Sequence, residues 1–345
     1  MTLTGNAAPE AADVLHRSGL AIDGPLRAAV GGLAASLRLG AGFHFGFWDA
    51  QGNPITADQG KMARPAFVLG AARAVGGGRT GDAAVRAAVA VELVHNFSLV
   101  HDDVMDADRT RRGRATVWAQ FGVPYAILLG DAMLAMANQV LTRGGDADAV
   151  AVCAELSAAV VALCVGQHQD MSFEEQGAVG PEEYLAMAAG KTAALLAGAC
   201  VLGALAGGAS PAQVDALRRF GHHIGLAFQL VDDVLGIFGD PAVTGKPVGA
   251  DLLRYKKSMP VLVALTGGSP AGAQLAELYR TRAVTPENLA HAADLVAEAG
   301  GRSWTEHEAA RQYRLALHWL DQVDGDPVAV AELRALADLM TTRNR

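Results

Sequence analysis

Ala83 to Val104 reads AAVRAAVAVELVHNFSLVHDDV, and this stretch decides the fold. Its apolar residues recur at i, i+3 and i+4 in an Ala- and Leu-rich background, the spacing of a helix. The helix ends on adjacent carboxylates, Asp102 and Asp103, with Asp106 just beyond. On a helix, positions three and four apart are neighbours, so these three carboxylates face one direction. The same spacing predicts helices over Ala66–Val75, Ala126–Leu141, Ala149–Gln169, Pro181–Leu205, Ala212–Leu235 and Leu252–Leu265. Thr285 is a plausible N-cap for another, with Pro286 in its first turn. Gly, Pro, Asp and Asn punctuate the breaks, and strand signals are almost absent. Several helices are apolar nearly all round, which marks the interior of a large bundle. The chain reads as all-α, with a loosely ordered tail over residues 1–24 and one helical domain over residues 25–345.

Bulk properties narrow the function. The chain has 345 residues, is 51% hydrophobic and carries a formal charge of −8. That balance argues against nucleic acid or an anionic membrane as the main partner. Cys153, Cys164 and Cys200 lie in apolar helical stretches without metal-ligand spacing, which fits buried thiols in a reducing cytoplasm. The first ten residues lack the basic start and apolar run of a signal peptide. Ala193–Ala209 is Ala- and Gly-rich and shorter than the roughly 20 residues a spanning helix needs. It reads as a core helix, with no stable membrane insertion.

A second phrase repeats the first. Leu230-Val231-Asp232-Asp233-Val234 follows Leu99-Val100-His101-Asp102-Asp103-Val104 about 130 residues later, also at the end of an apolar helix. Carboxylates on apolar stretches are costly to desolvate and need cations to offset that cost. Arg111-Arg112-Gly113 follows the first phrase, and Gly245-Lys246-Pro247 and Lys256-Lys257 follow the second. Carboxylates interleaved with basic residues suggest a site that gathers Mg²⁺ together with a polyphosphate.

These motifs resemble those of the trans-isoprenyl diphosphate synthases, the short-chain polyprenyl synthases. His101 to Asp106 with Arg111-Arg112-Gly113 looks like the family's first aspartate-rich motif. Phe228 to Asp233 with Gly245 to Asp251 looks like the second. Gly60 to Pro65 resembles the upstream basic motif, and Gly190-Lys191-Thr192 the lysine-threonine motif. These motifs fall in the family's order over about residues 30–265. The resemblance implies a single large helical bundle of the isoprenoid synthase type with a central cavity, and a symmetric homodimer. It implies ionisation of an allylic diphosphate, attack by isopentenyl diphosphate, and loss of a proton to the released diphosphate. Mg²⁺, three ions per site, would be held by Asp102, Asp106 and Asp232, with Asp103 and Asp233 ligating through water. Arg111, Lys191, Thr192, Gln229, Lys246 and Lys256 would hold the allylic diphosphate. Lys61, Arg64, His95 and Arg112 would hold isopentenyl diphosphate, the arginines by their forked guanidinium. His44, His168, His222 and His223 read as structural.

Three departures from the family pattern stand out. Gly236 replaces a third aspartate, Met62 a basic residue, and Ala115 a proline. By the family's steric rule, Phe97 and Ser98 form the floor of the elongation tunnel. One aromatic beside a small residue implies a C20 product, geranylgeranyl diphosphate, with C15 and C25 as neighbouring outcomes. A class I terpene cyclase is the first rival, but no Asn/Asp-x-x-Ser/Thr-x-x-x-Glu metal motif starts at Asp232. A non-catalytic partner subunit of a synthase is the second, but the first motif keeps all its aspartates and arginines.

Overall fold

The computed structural model describes residues 10–57, 60–145, 149–175, 179–239 and 249–341, and these are almost entirely helical. Helix α1 (Ala11–Gly31) buries Val14, Ser18, Ile22 and Leu26, one residue every four. The tail predicted over residues 1–24 is therefore helical from Ala11, because that stripe has a core to pack against. Helix α2 (Ala35–Phe45) ends on Gly46, whose φ of 74° supplies the left-handed cap. Helix α3 (Ala63–Val75) is buried on nearly every side, and α4 (Asp82–Met105) carries the first aspartate pair.

A two-stranded hairpin follows, β1 (Thr110–Arg111) paired with β2 (Arg114–Ala115). Its turn residues Arg112 and Gly113 both have positive φ, 51° and 71°, the geometry of a type I′ turn. Helices α5 (Val117–Phe121), α6 (Val123–Thr142) and α7 (Ala149–Glu175) come next. The segment predicted as one helix over Pro181–Leu205 is α8 (Pro181–Ala188), a π-helical turn (Ala189–Ala193) and α9 (Ala194–Ala206). Helix α10 (Pro211–Phe238) carries the second aspartate pair.

The helix predicted over Leu252–Leu265 is broken. It forms α11 (Ala250–Leu253) and α12 (Met259–Thr266), and between them Tyr255 has a φ of 54° that no helix allows. Helices α13 (Pro270–Arg280), α14 (Leu289–Glu298), α15 (Gly301–Leu320) and α16 (Pro327–Thr341) complete the chain. Thr285 does not cap α14. Its backbone N–H instead bonds the Asn288 side chain in a turn before the helix.

The chain divides into two compact units. The first comprises residues up to Ala158, Gly198–Leu217 and Val323–Leu336; the second comprises Ala159–Ala197, Arg218–Gln322 and the residues from Ala337. Most of the divisions fall inside helices α7, α9, α10 and α16, so no Gly- or Pro-rich linker marks them in the sequence. In the first unit, Gly203 on α9 lies so close to α3 that an added Cβ would sit 2.1 Å from the Val68 carbonyl oxygen. In the second, Tyr184, Met187, Leu230 and Met259 pack in one buried cluster.

Among the described residues, four stretches are long and apolar enough to cross a membrane, where the sequence offered one short run read as core. They are α4, α6, Ala149–Phe173 of α7, and Pro181–Ala206. The apolar window is 72% buried in α4 but only 28% buried in α7. Core packing accounts for the first; the second leaves an apolar surface on α7.

Candidate active site

In the first unit, the end of α4 places its three aspartates differently. Asp102 is half-buried and Asp106 exposed, while Asp103 is buried. The three do not share one face. Asp103 turns inward and takes an ion pair from Arg111 on β1 at 2.7 Å. Burial raises the Asp103 carboxyl above its ordinary range despite that pair. Its second oxygen, Oδ2, is buried without a partner among the described residues. The hairpin is held to the chain below by Thr116 and Trp118, which both donate to the Asp108 carbonyl.

Beside it lies a cationic group. Arg64 at the start of α3 donates to Nε2 of His95 on α4 at 3.1 Å, bringing together two of the residues predicted for isopentenyl diphosphate. Because an arginine only donates, His95 accepts through Nε2 and carries its proton on Nδ1. Burial, and then the charge of Arg64, Arg112 and Arg111, hold its pKa well below 6.5. The Nε of Arg64 is buried without a partner among the described residues. The guanidinium of Arg112 lies over Gly60, where a Cβ would come within 2.4 Å of it. Lys61 is exposed on the following residue. Phe97 and Ser98, 5% and 7% exposed, are buried on α4, with the Phe97 ring edge-on to His101.

The second unit carries the other half of the predicted residues. The π-helical turn presents Lys191 and Thr192. It is gripped by glycines: a Cβ on Gly166 of α7 would sit 2.1 Å from the Lys191 nitrogen, and one on Gly225 of α10 2.4 Å from the Ala193 Cα. Thr192 donates to Gln229 Oε1 at 2.7 Å, and Gln229 Nε2 donates to Asp233 Oδ1 at 2.9 Å. Tyr184 and the Met259 backbone N–H donate to the other Asp233 oxygen. Both oxygens of Asp233 are thus taken by protein donors. It anchors Gln229, whereas Asp232 beside it is half-buried. Burial raises the Asp233 carboxyl to about 6, against the opposing pull of Lys256 and its hydrogen bonds.

Lys191 pairs with Asp170 on α7, a residue the sequence reading passed over. Lys256 is surrounded by carboxylates. Burial lowers its pKa, but Asp251, Asp233, Asp170 and Asp232 together raise it above its ordinary value. A Cβ on Gly236 would lie 2.2 Å from Asp251 Oδ2, so the position that usually holds a third aspartate is packed against another carboxylate. Lys246 lies outside the described residues.

Among the described residues, no three carboxylate, imidazole or thiolate side chains converge to hold a metal unaided. Mg²⁺ rarely uses such a cage. It takes one or two carboxylates, several waters and the phosphates it arrives with. The all-oxygen donor set and the unpaired Asp103 Oδ2 fit a hard cation of that kind.

The polyprenyl synthetase family matches residues 50–296. A geranylgeranyl diphosphate synthase of Mycobacterium tuberculosis is 47% identical over 92% of this chain and 90% of its own. A (2E,6E)-farnesyl diphosphate synthase of Mycobacterium bovis is 43% identical over 87% and 84%. The crystal structure of a polyprenyl synthetase from Streptomyces coelicolor A3(2) superposes with a TM-score of 0.91 at 45% identity, over 96% of this chain and 99% of its own. The chain belongs to the polyprenyl synthetase family of trans-isoprenyl diphosphate synthases and has the all-α isoprenoid synthase fold. It is a prenyltransferase of isoprenoid biosynthesis, from a family whose substrates are isopentenyl and allylic diphosphates.

Proposed function

We propose that this chain condenses isopentenyl diphosphate with an allylic diphosphate in a Mg²⁺-dependent, head-to-tail 1′–4 coupling whose main product is geranylgeranyl diphosphate. The observation that carries this reading is the presence of two chemically distinct anion-holding groups. Arg64, Arg112 and Lys61 supply positive charge, neutral His95 accepts from Arg64, and the Arg64 Nε is buried without a partner among the described residues. Such a group suits a diphosphate that binds without being ionised. Carboxylates also stand with cations within each unit, Asp102 and Asp106 with Arg111 in the first and Asp232 with Lys191 and Lys256 in the second, and each such combination suits a diphosphate that leaves with metal assistance. When bound, Mg²⁺ neutralises charge developing on the leaving diphosphate.

Asp102, Asp106 and Asp232 would supply oxygen ligands. Asp103 and Asp233 would act from behind them, holding Arg111 and Gln229. Lys191 and Arg111 are occupied by Asp170 and Asp103, and would turn to the allylic diphosphate as it binds. Thr192 and Gln229 line up behind Lys191, with Lys256 close to the same carboxylates. Lys246, from the second motif, belongs to the same set.

Phe97 is the steric argument for C20; the geranylgeranyl diphosphate synthase relative supports that length and the farnesyl one supports C15 as the neighbouring outcome. The exposed apolar faces of α6 (Ile127, Leu128) and α7 (Val150, Val161, Val165) support a homodimer. The three cysteines form no disulfide, which supports residence in the cytoplasm.

Incubation with Mg²⁺, isopentenyl diphosphate and an allylic diphosphate, followed by mass analysis, tests the reading. Elongated diphosphate is expected. Hydrocarbon formed without isopentenyl diphosphate would mark a cyclase, and no turnover a partner subunit. Asp102→Ala should cut elongation by about a thousandfold, the scale of losing electrostatic assistance to a leaving group. Near-normal turnover in that variant would defeat the metal assignment.

A further inference from the structure

Behind the cationic group of the first unit lies a buried chain of hydrogen bonds that no motif requires. On α4, the Asn96 side-chain Nδ2 donates to the Glu92 backbone carbonyl at 2.8 Å and to Glu92 Oε1 at 2.7 Å. Both partners accept, so the amide cannot turn over. Asn96 Oδ1 is therefore the atom 2.9 Å from Nε2 of His44 on α2, and His44 must donate to it. The imidazole then carries its proton on Nε2 and offers a lone pair at Nδ1, which makes no hydrogen bond among the described residues. Around that ring, Arg111, Arg112 and Arg114 line a narrow pocket with Asp103 and Thr116. Arg114 is already tied to the Phe43 carbonyl at 2.7 Å, and Arg111 to Asp103. His95 and Glu92 approach from α4, and Arg64 from α3. Burial and the three arginines hold the His44 ring neutral, its pKa pushed down to about 3.

An acceptor placed among arginines has one natural partner, a guanidinium N–H. The molecule already contains that pairing a few residues away, in Arg64 and His95. Resting on the reading above, we propose that His44 is a positioning residue for isopentenyl diphosphate: its tautomer, locked by Glu92 and Asn96, lets Nδ1 accept from Arg112 and aim that guanidinium at the incoming diphosphate. Arg112 needs such help. It sits in the strained first position of the hairpin turn, with a φ of 51°, and its side chain is exposed.

Two substitutions isolate the atom. His44→Gln places an amide nitrogen where Nε2–H was, and so keeps the bond to Asn96 while removing Nδ1. His44→Asn places an oxygen where Nδ1 was. Steady-state kinetics should show KM for isopentenyl diphosphate raised about tenfold in His44→Gln, the scale of one hydrogen bond to a charged group. Its kcat and its KM for the allylic substrate should stay within about twofold, and His44→Asn should recover most of the loss. An unchanged KM in His44→Gln would overturn the proposal. So would a joint decline of kcat and both KM values in the two variants, which a merely structural histidine would produce. If the wild-type chain elongates nothing, the functional reading fails instead. Calorimetric titration with inorganic diphosphate then carries the comparison: about tenfold weaker binding in His44→Gln supports the role, and equal affinity ends it.

Discussion

Asp233 and Asp232 are neighbours in sequence with opposite surroundings. Asp233 is buried under three donors, from Tyr184, Gln229 and Met259, and its carboxyl is raised to about 6 from an ordinary 3.8. Between those values the folded chain holds a proton that the unfolded chain has released, so stability falls as pH rises from about 4 to 6 and stays reduced above. The shift corresponds to at most about 3 kcal/mol. Asp233→Asn, unfolded by denaturant in chelator at a series of pH values, should lack that component of the slope; a slope equal to the wild type's would refute it. Phe97 makes the other residue-level prediction. Replacing it by Ala opens the α4 side of the proposed tunnel, and the product, read by mass, should lengthen by one or more isoprene units. An unchanged product distribution would defeat its role as the floor.

At the scale of elements, the informative piece is the π-helical turn Ala189–Ala193. A π-turn inserts one residue into a helix and often marks a functional site. Here it turns Lys191 toward Asp170 on α7 and Thr192 toward Gln229 on α10. Backbones approach this closely only where Gly166 and Gly225 lack side chains. Gly166→Ala would drive a methyl group into the Lys191 backbone, so α7 and the turn must separate. A stability loss of about 1–3 kcal/mol is expected, with a drop in turnover as Lys191 and Thr192 shift. A variant with wild-type melting and kinetics would show that the close approach is not needed. The hairpin is the same kind of device on a smaller scale, since two positive-φ residues aim the adjacent Arg111 and Arg112 differently.

At the scale of the whole molecule, α7 carries Val150, Val161 and Val165, which are 83%, 63% and 53% exposed along one stripe. In a chain read as a homodimer, that stripe is the surface a second copy would cover. The double variant Val161→Lys, Val165→Lys should sediment as a monomer where the wild type is a dimer. An unchanged dimer, or a wild type that binds lipid vesicles through this helix, would count against that assignment. The amino-acid sequence by itself determined the helical class and the aspartate, arginine and lysine motifs, because helix periodicity and motif chemistry are local. It also showed that the carboxylates must be matched by cations. Tertiary structure decided which partner each group meets. Arg64 takes His95, Arg111 takes Asp103, Asp233 disappears beneath Tyr184, and His44 joins Asn96, none of which spacing along the chain could show. It also decided the π-turn, the break at Tyr255 and the division into two units. These depend on backbone packing between segments distant along the chain, as where the Asp326 N–H bonds the Ala74 carbonyl within the first unit, and such packing leaves no periodic trace in the sequence.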